Sequence, residues 1–343
     1  MQEKVLSVSV AAYNASATLA EALEPFTADG IREMVEVLIV DDGSKDDTAK
    51  IGGEFQDKYP DTFRVISKAN GGWGSTLNVG IREAKGKYFK QLDADDYYSL
   101  ENLKSFLDFL NNVTADMVYS PFVTFEDKSG GIYRTVGNFE GDYRFFPRDN
   151  SVIPLSECEN FIPAMHTLTV RTQVLQDSDI FITEHCFYTD VEFVLKSYHL
   201  CKTVVFFERP IYYYRLARDG QSMSLTGVRK NYKDHMKMLL GLLDYYKEKV
   251  KDEATKKAFE NRLEAACNMQ YIFFFALKCT SKQKKELREF DKILCEKHPD
   301  FYEKTSGPRL NLLRKFNFFG YKIAARQRMR KDKRLKQNIF EGE

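Results

Sequence analysis

A surplus of one charge sign is missing from these 343 residues: 51 Lys and Arg stand against 50 Asp and Glu, for a net charge of +1. Bulk charge therefore makes no case for nucleic acid as a partner. The six cysteines (Cys158, Cys186, Cys201, Cys267, Cys279, Cys295) form no CxxC pair and no zinc spacing. Reduced, mostly buried thiols are expected rather than a disulfide framework. No apolar run approaches the roughly 20 residues that span a bilayer; the richest, Tyr271 to Leu277, is far too short. The opening MQEKVLSVSV enters a strand directly, without the basic-then-apolar layout of a signal peptide. A cytoplasmic location is the resulting expectation. Tryptophan is nearly absent, at one residue, but 27 Phe and 19 Tyr exclude disorder and supply a large core.

What is present is an alternation of strands and helices. Val5 to Val10 reads as a strand ending at Ala11-Ala12-Tyr13-Asn14, and Ala15 to Leu23 has helical composition. Val35 to Val40 is a continuous run of the kind buried on both faces of a sheet. It stops at Asp41-Asp42-Gly43-Ser44, where Asp46-Asp47-Thr48 can cap a following helix. Phe63 to Ser67 leads into Asn70-Gly71-Gly72, a helix covers about Ser75 to Ala84, and Tyr88 to Leu92 ends at Asp93-Ala94-Asp95-Asp96. This order predicts a doubly wound, mostly parallel sheet. Looser strands are expected at Met117 to Phe125, Ile132 to Val136, Leu168 to Val170 and Val204 to Phe207. From about residue 228 helical spacing takes over, as in Tyr232, Met236, Leu239, Leu243 and Tyr246. The expected division is a domain over 1–225 and a helical region over 226–343.

Unusual polar residues fall at the carboxyl ends of four successive strands, and such ends share one edge where ligands bind. Asp93 and Asp95 would project to one side of a continuing strand, and Asp96 to the other. Paired carboxylates suit Mg²⁺ or Mn²⁺ holding a nucleotide diphosphate. Asp95 is the first metal ligand, with Asp93 on the metal, its water or a ribose. Asp42 can accept from uracil N3–H, Tyr13 can stack on a base, and Asn14 can hydrogen-bond it. The plainer alternatives are that DADD caps a helix at Ser99-Leu100 and that DDGS is an Asx turn. Gly72-x-Gly74 resembles the start of a dinucleotide fingerprint, but Leu77 occupies the third glycine position and the loop follows the wrong strand. The glycines instead suit a tight turn setting Asn70 and Trp73 beside a sugar.

The ordered set VSVAAYNA, LIVDDGSKDDT, NGGWGSTLNVGIREAKGKYFKQLDADD and YTDVEF resembles the inverting family 2 glycosyltransferases of GT-A fold, over residues 4–98 and more weakly to about 225. The resemblance is closest to bacterial cell-surface polysaccharide or glycoconjugate enzymes. It implies a Rossmann-like GT-A α/β domain, here followed by an all-helical extension. It also implies that Tyr13, Asn14 and Asp42 hold uridine, that Arg82 reaches the nucleotide or the helix surface, and that Asp93 and Asp95 form a DxD metal site. Asp190 stands at the catalytic base. Family members often carry Glu-Asp there; Thr189 precedes Asp190 here, leaving Glu192 as a displaced acidic partner. Arg218, ahead of Arg215, would bind phosphate, and His166 would line the acceptor pocket. The implied reaction moves a sugar from a UDP-sugar to a glycan, lipid-linked or protein-linked hydroxyl, with inversion.

Between Arg309 and Lys336 basic residues meet a single acidic one, Asp332, while Leu312, Phe316, Phe319 and Ile323 interleave at helical spacing. A basic amphipathic helix suits an anionic membrane surface, which would place the chain peripherally at the inner face of the cell membrane. Docking on the protein itself is the plainer reading. No nucleic-acid module accompanies the charge, and self-association into a homo-oligomer stays open. A nucleotidyltransferase would want a basic glycine-rich loop after the first strand, which Ala11-Ala12-Tyr13-Asn14 does not supply. A non-catalytic nucleotide-sugar-binding protein would not need every acidic position filled.

Overall fold

The computed structural model describes residues 3–126, 134–136, 150–158, 161–216 and 225–327. The chain separates into two compact units, Met1–Asp219 and Gly220–Glu343.

The first unit runs β1 (Leu6–Ala12), α1 (Leu19–Leu23), β2 (Val35–Asp41), α2 (Thr48–Lys58), β3 (Phe63–Ser67), α3 (Trp73–Glu83), β4 (Tyr88–Asp93), β5 (Tyr97–Tyr98), α4 (Leu100–Asn112), β6 (Met117–Tyr119), β7 (Phe122–Glu126), β8 (Arg134–Val136), β9 (Ile153–Pro154), β10 (Leu168–Arg171), α5 (Thr172–Gln176), α6 (Thr189–Leu200), β11 (Thr203–Phe206) and β12 (Tyr212–Leu216). The main sheet has the order β3-β2-β1-β4-β10-β6-β11-β9. Its first four strands are parallel, and β10 then runs antiparallel to both β4 and β6. A second sheet has the order β5-β12-β7-β8.

Local chemistry explains these elements. Leu6, Val8 and Val10 on β1 and Val37, Leu38, Ile39 and Val40 on β2 have no exposed surface, as expected of strands covered on both faces. Ser7 and Ser9 make room on β1. A Cβ on Gly80 of α3 would lie 2.0 Å from Ser9 Oγ, so that helix can close on the sheet only through a glycine. The expected strand over Met117–Phe125 is two strands in different sheets, broken at Ser120-Pro121, because proline cannot donate to a ladder. Helix formation after β1 begins at Leu19 rather than Ala15, since Asn14, Ala15 and Ser16 spend their N–H groups on Ser44, Thr48 and Asp46.

The second unit contains α7 (Leu225–Lys249), α8 (Glu253–Phe275), α9 (Ser281–Lys297), α10 (Pro299–Lys304) and α11 (Pro308–Lys315). Leu239, Leu243, Phe259, Leu263, Phe274, Leu287, Phe290 and Leu294 are all fully buried in its core. Side chains cap two helix starts, Asp252 accepting from Thr255 N and Thr280 from Gln283 N. Among the described residues no helix is long and apolar enough to cross a membrane. All six cysteines are free thiols, five of them buried.

Candidate active site

The four polar strand ends, Tyr13-Asn14 after β1 and the acidic or glycine-rich segments after β2, β3 and β4, converge at one sheet edge. Strand β4 ends at Asp93, and a turn closed by Asp96 N donating to Asp93 O (3.0 Å) brings the next carboxylates round. Carboxylate oxygens of Asp93, Asp95 and Asp96 lie within 4.8 Å of one another. The expectation that Asp96 projects away from this group is corrected by that turn: alternation ends where the strand does.

Each carboxylate has a distinct setting. Asp93 Oδ1 accepts from Trp73 Nε1 (2.7 Å) and Gln91 Nε2 (2.8 Å), and among the described residues no hydrogen bond reaches its Oδ2. Burial, and then the neighbouring charge of Asp95, push the Asp93 carboxyl up to about 7; Asp190 adds its own negative charge. Asp190 thus faces the same cluster from the first turn of α6. Asp96 is committed to structure, its Oδ2 accepting from Tyr212 Oη (2.6 Å) and its Oδ1 from Arg215 N (2.8 Å). Burial, followed by the charges of Asp93 and Asp95, raises it to about 9. Arg215 also reaches Asp95 O (2.9 Å) and Glu21 (2.6 Å), so β12 is tied to the turn at several points.

Asp42 has a different occupation from the one expected of a base-reading carboxylate. It is 2% exposed. Its Oδ1 accepts from Lys68 Nζ (2.7 Å), Gly71 N (2.8 Å) and Ser75 Oγ (3.3 Å), and its Oδ2 from Gly72 N (2.7 Å) and Asn70 Nδ2 (3.0 Å). Five donors leave it no evident capacity for a uracil N3–H. The turn it holds, with Gly72 at φ +80°, starts α3 and delivers Trp73 to Asp93. Asn70 is consumed by the same carboxylate. Asn14, in the left-handed region at φ +48°, accepts from Lys45 N (2.9 Å) and laces the ends of β1 and β2 together. Tyr13 beside it is 51% exposed and available for stacking.

The segment before α6 is docked on α3. Asn78 exchanges two hydrogen bonds with the backbone of Ile182 (both 2.9 Å), and His185 N donates to Gly71 O (2.5 Å). A Cβ on Gly74 would sit 2.4 Å from Thr183 O, so glycine is required there for contact rather than for a phosphate. Glu192 accepts from Thr183 N (3.0 Å) and Oγ1 (3.1 Å) and from Lys196 Nζ (2.6 Å), and is buried. Its role is to clamp the loop that presents Asp190. Phe193, one residue on, packs edge-to-face against both Trp73 and Phe89.

His166 and Arg82 stand apart from the carboxylates. The His166 ring packs at 4.4–4.8 Å from Phe122, Tyr212 and Tyr214. Burial, and then the charge of Lys90, pull it down to about 3, which makes it a poor base. Lys90 is itself buried on β4, donating to the carbonyls of His166 (2.8 Å) and Leu168 (3.1 Å), and burial lowers it to about 7. Arg82 is exposed on α3 and pairs with Glu83 (3.3 Å). Arg218 lies outside the described residues. Sequence reading passed over Lys68, Asn78 and Gln91; Lys68 and Asn78 meet Asp42 and Ile182 from 26 and 104 residues away, and no local pattern marks them.

The family model of glycosyl transferase family 2 matches residues 7–167. An uncharacterized glycosyltransferase of Rickettsia prowazekii is 33% identical over 131 residues, 38% of this chain and 40% of that protein. The poly(ribitol-phosphate) beta-N-acetylglucosaminyltransferase TarS of Staphylococcus aureus is 25% identical over 221 residues, 64% of this chain and 36% of TarS. The chain thus spans well under half the length of these relatives. The crystal structure of TarS residues 1–349 with UDP-GlcNAc superposes with a TM-score of 0.60 at 21% identity, covering 99% of this chain and 92% of that one. The shared fold is GT-A, a mostly parallel mixed sheet flanked by helices, and residues 7–167 of the chain resemble glycosyl transferase family 2.

Proposed function

We propose that this chain transfers a sugar from a UDP-sugar to a hydroxyl of a glycan, lipid-linked or protein-linked acceptor, in one displacement that inverts the anomeric carbon. The observation that carries this reading is the convergence of Asp93, Asp95 and Asp190 at the sheet edge. The acceptor oxygen forms a bond to the anomeric carbon while the bond to the UDP oxygen breaks, and the hydroxyl proton passes to the Asp190 carboxylate. Asp190 sits in the first turn of α6, within reach of the same carboxylate cluster.

The donor set fits a divalent cation, Mn²⁺ or Mg²⁺, because these ions take carboxylate oxygens and keep other positions for phosphate and water. Asp95 and the Oδ2 of Asp93 would hold it, while Asp96 is occupied by Tyr212 and Arg215. When bound, the ion neutralises charge developing on the departing diphosphate. Tyr13 stacks on the base in this reading, with Asn14 and Asn70 shaping the rim of the nucleotide cleft, Asp42 holding the Asn70 turn in place, and Arg218 kept for phosphate. Trp73 fixes Asp93 from beside the sugar. Arg82 belongs to the helix surface, Glu192 supports the Asp190 loop, and His166 lines the wall formed by β12. TarS, named for transfer of N-acetylglucosamine to poly(ribitol phosphate) and captured with UDP-GlcNAc, makes UDP-GlcNAc the first donor to try and a bacterial surface glycopolymer the first acceptor. The enzyme would work in the cytoplasm, next to the membrane.

The test is UDP release from a panel of UDP-sugars with Mn²⁺ and with EDTA. One donor should be turned over in Mn²⁺ and not in EDTA. No release from any donor, or equal release in both conditions, would overturn the proposal.

A further inference from the structure

In the second unit the exposed large hydrophobic residues among those described are Leu312, Phe316, Phe319 and Ile323, all within one short stretch. The continuous amphipathic helix expected there is in fact broken. Helix α11 ends at Lys315, and a second helical stretch covers residues 321–327. Between them Asn317 and Phe318 both occupy the left-handed region, at φ +47° and +57°. Such a backbone is costly for a residue as bulky as Phe and persists only where surrounding contacts enforce it.

Those contacts are present. Phe318 N donates to Leu313 O (2.6 Å), closing the end of α11. Arg288 donates from Nε (3.1 Å) and Nη2 (2.7 Å) to Asn317 O, and Tyr321 Oη donates to Phe274 O (2.6 Å). Phe318, Tyr321 and Ala325 are buried, whereas Phe319 is 87% exposed. The turn therefore anchors one Phe in the core and projects the next into solvent. Lys284 Nζ stands 5.7 Å from the projecting ring. Exposing apolar side chains on a fastened turn needs a partner to justify it.

Charge identifies the partner. Residues 308–327 contain Arg309, Lys315, Lys322 and Arg326 and no acidic residue, while Arg314 is turned inward and paired with Asp291 (2.8 Å); Arg328, Arg330, Lys331, Lys333, Arg334 and Lys336 follow in the sequence against Asp332. A second copy of this face would oppose cation to cation, whereas an anionic lipid surface complements it. We propose that the turn at residues 316–320 is a membrane wedge: Phe316 and Phe319 insert among the headgroups of an anionic bilayer while the surrounding Arg and Lys contact lipid phosphates. This inference rests on the second unit alone and stands whether or not the sugar-transfer reading does.

The test uses the full chain with phosphatidylglycerol–phosphatidylcholine vesicles, and pure phosphatidylcholine as control. Wild type should co-sediment with the anionic vesicles at low salt and release at high salt. A variant with Phe316→Ser and Phe319→Ser should partition about tenfold more weakly. A Phe319→Trp variant guards against misfolding of the double variant. Read against the constant background of Trp73, its emission should shift to the blue on anionic vesicles and be quenched by brominated lipid. Absence of vesicle binding by wild type, equal partitioning of the double variant, or an unquenched Trp would each overturn the proposal. Loss of an oligomer by the double variant without vesicle binding would assign the face to a second copy instead.

Discussion

Replacing Asp42 by Ala separates two roles for a buried carboxylate that the sequence alone runs together. If Asp42 holds the Asn70–Ser75 turn, its loss should register first as lost stability. Lys68 keeps contacts with Ala69 O and Ser75 Oγ, and Ser75 keeps its bond to Gly72 O. The groups left stranded are the N–H donors of Gly71 and Gly72, which bond to Asp42 at 2.8 and 2.7 Å. Each unsatisfied buried donor costs about 1–3 kcal/mol. Adding the lost partner of Lys68, a total of about 3–5 kcal/mol is expected, in line with breaking a buried ion pair. For a unit of this size that lowers the melting temperature by roughly 10 °C. Asp42→Asn keeps one acceptor oxygen and should fall between Ala and wild type. The assay is thermal unfolding of the three proteins beside UDP titration well below the lowest melting point. An Ala variant that melts within about a degree of wild type and still loses UDP binding would refute the reasoning. Asp42 would then read the base.

Three further outcomes are expected. Calorimetry should show UDP binding much more tightly with Mn²⁺ than with EDTA, and Asp95→Ala should remove that difference; equal affinities would remove the metal role. Asp190→Asn should retain UDP affinity and lose transfer by about 10²-fold or more, as for a missing general base, and near-normal transfer would move that role elsewhere. Asp93 is raised from 3.8 to about 7, so the folded chain holds a proton that the unfolded chain releases above about pH 4. Its contribution therefore falls as pH rises towards 7. In EDTA, Asp93→Asn should gain on wild type by roughly 3 kcal/mol between about pH 5 and pH 7. Urea unfolding at several pH values checks this, and parallel profiles for the two proteins would contradict it.

Strands β1 to β4 and their carboxyl ends were legible because each is a local, uninterrupted apolar run closed by turn residues. With short helical crossovers, such runs have few alternatives to a right-handed parallel sheet. That order is enough to gather Asp42, Gly72 and Asp93 at one edge. The roles of these residues were a different matter. Asp42 reads as a ligand until Lys68 and the N–H groups of Gly71 and Gly72 are seen around it. Glu192 reads as a displaced catalytic partner until Thr183 and Lys196 fill its oxygens. Asp96 reads as pointing away until the strand is seen to stop at Asp93. Helical spacing through Leu312, Phe316, Phe319 and Ile323 was present in the sequence, but the break at Asn317 and Phe318 was not. Hydrophobic periodicity is set by neighbours in the chain, so the sequence by itself determined where the strands and most helices run. Which carboxylate is saturated and which is left open depends on donors brought from other elements, as when Tyr212 and Arg215 reach Asp96 across more than a hundred residues. Only the packed structure could decide that.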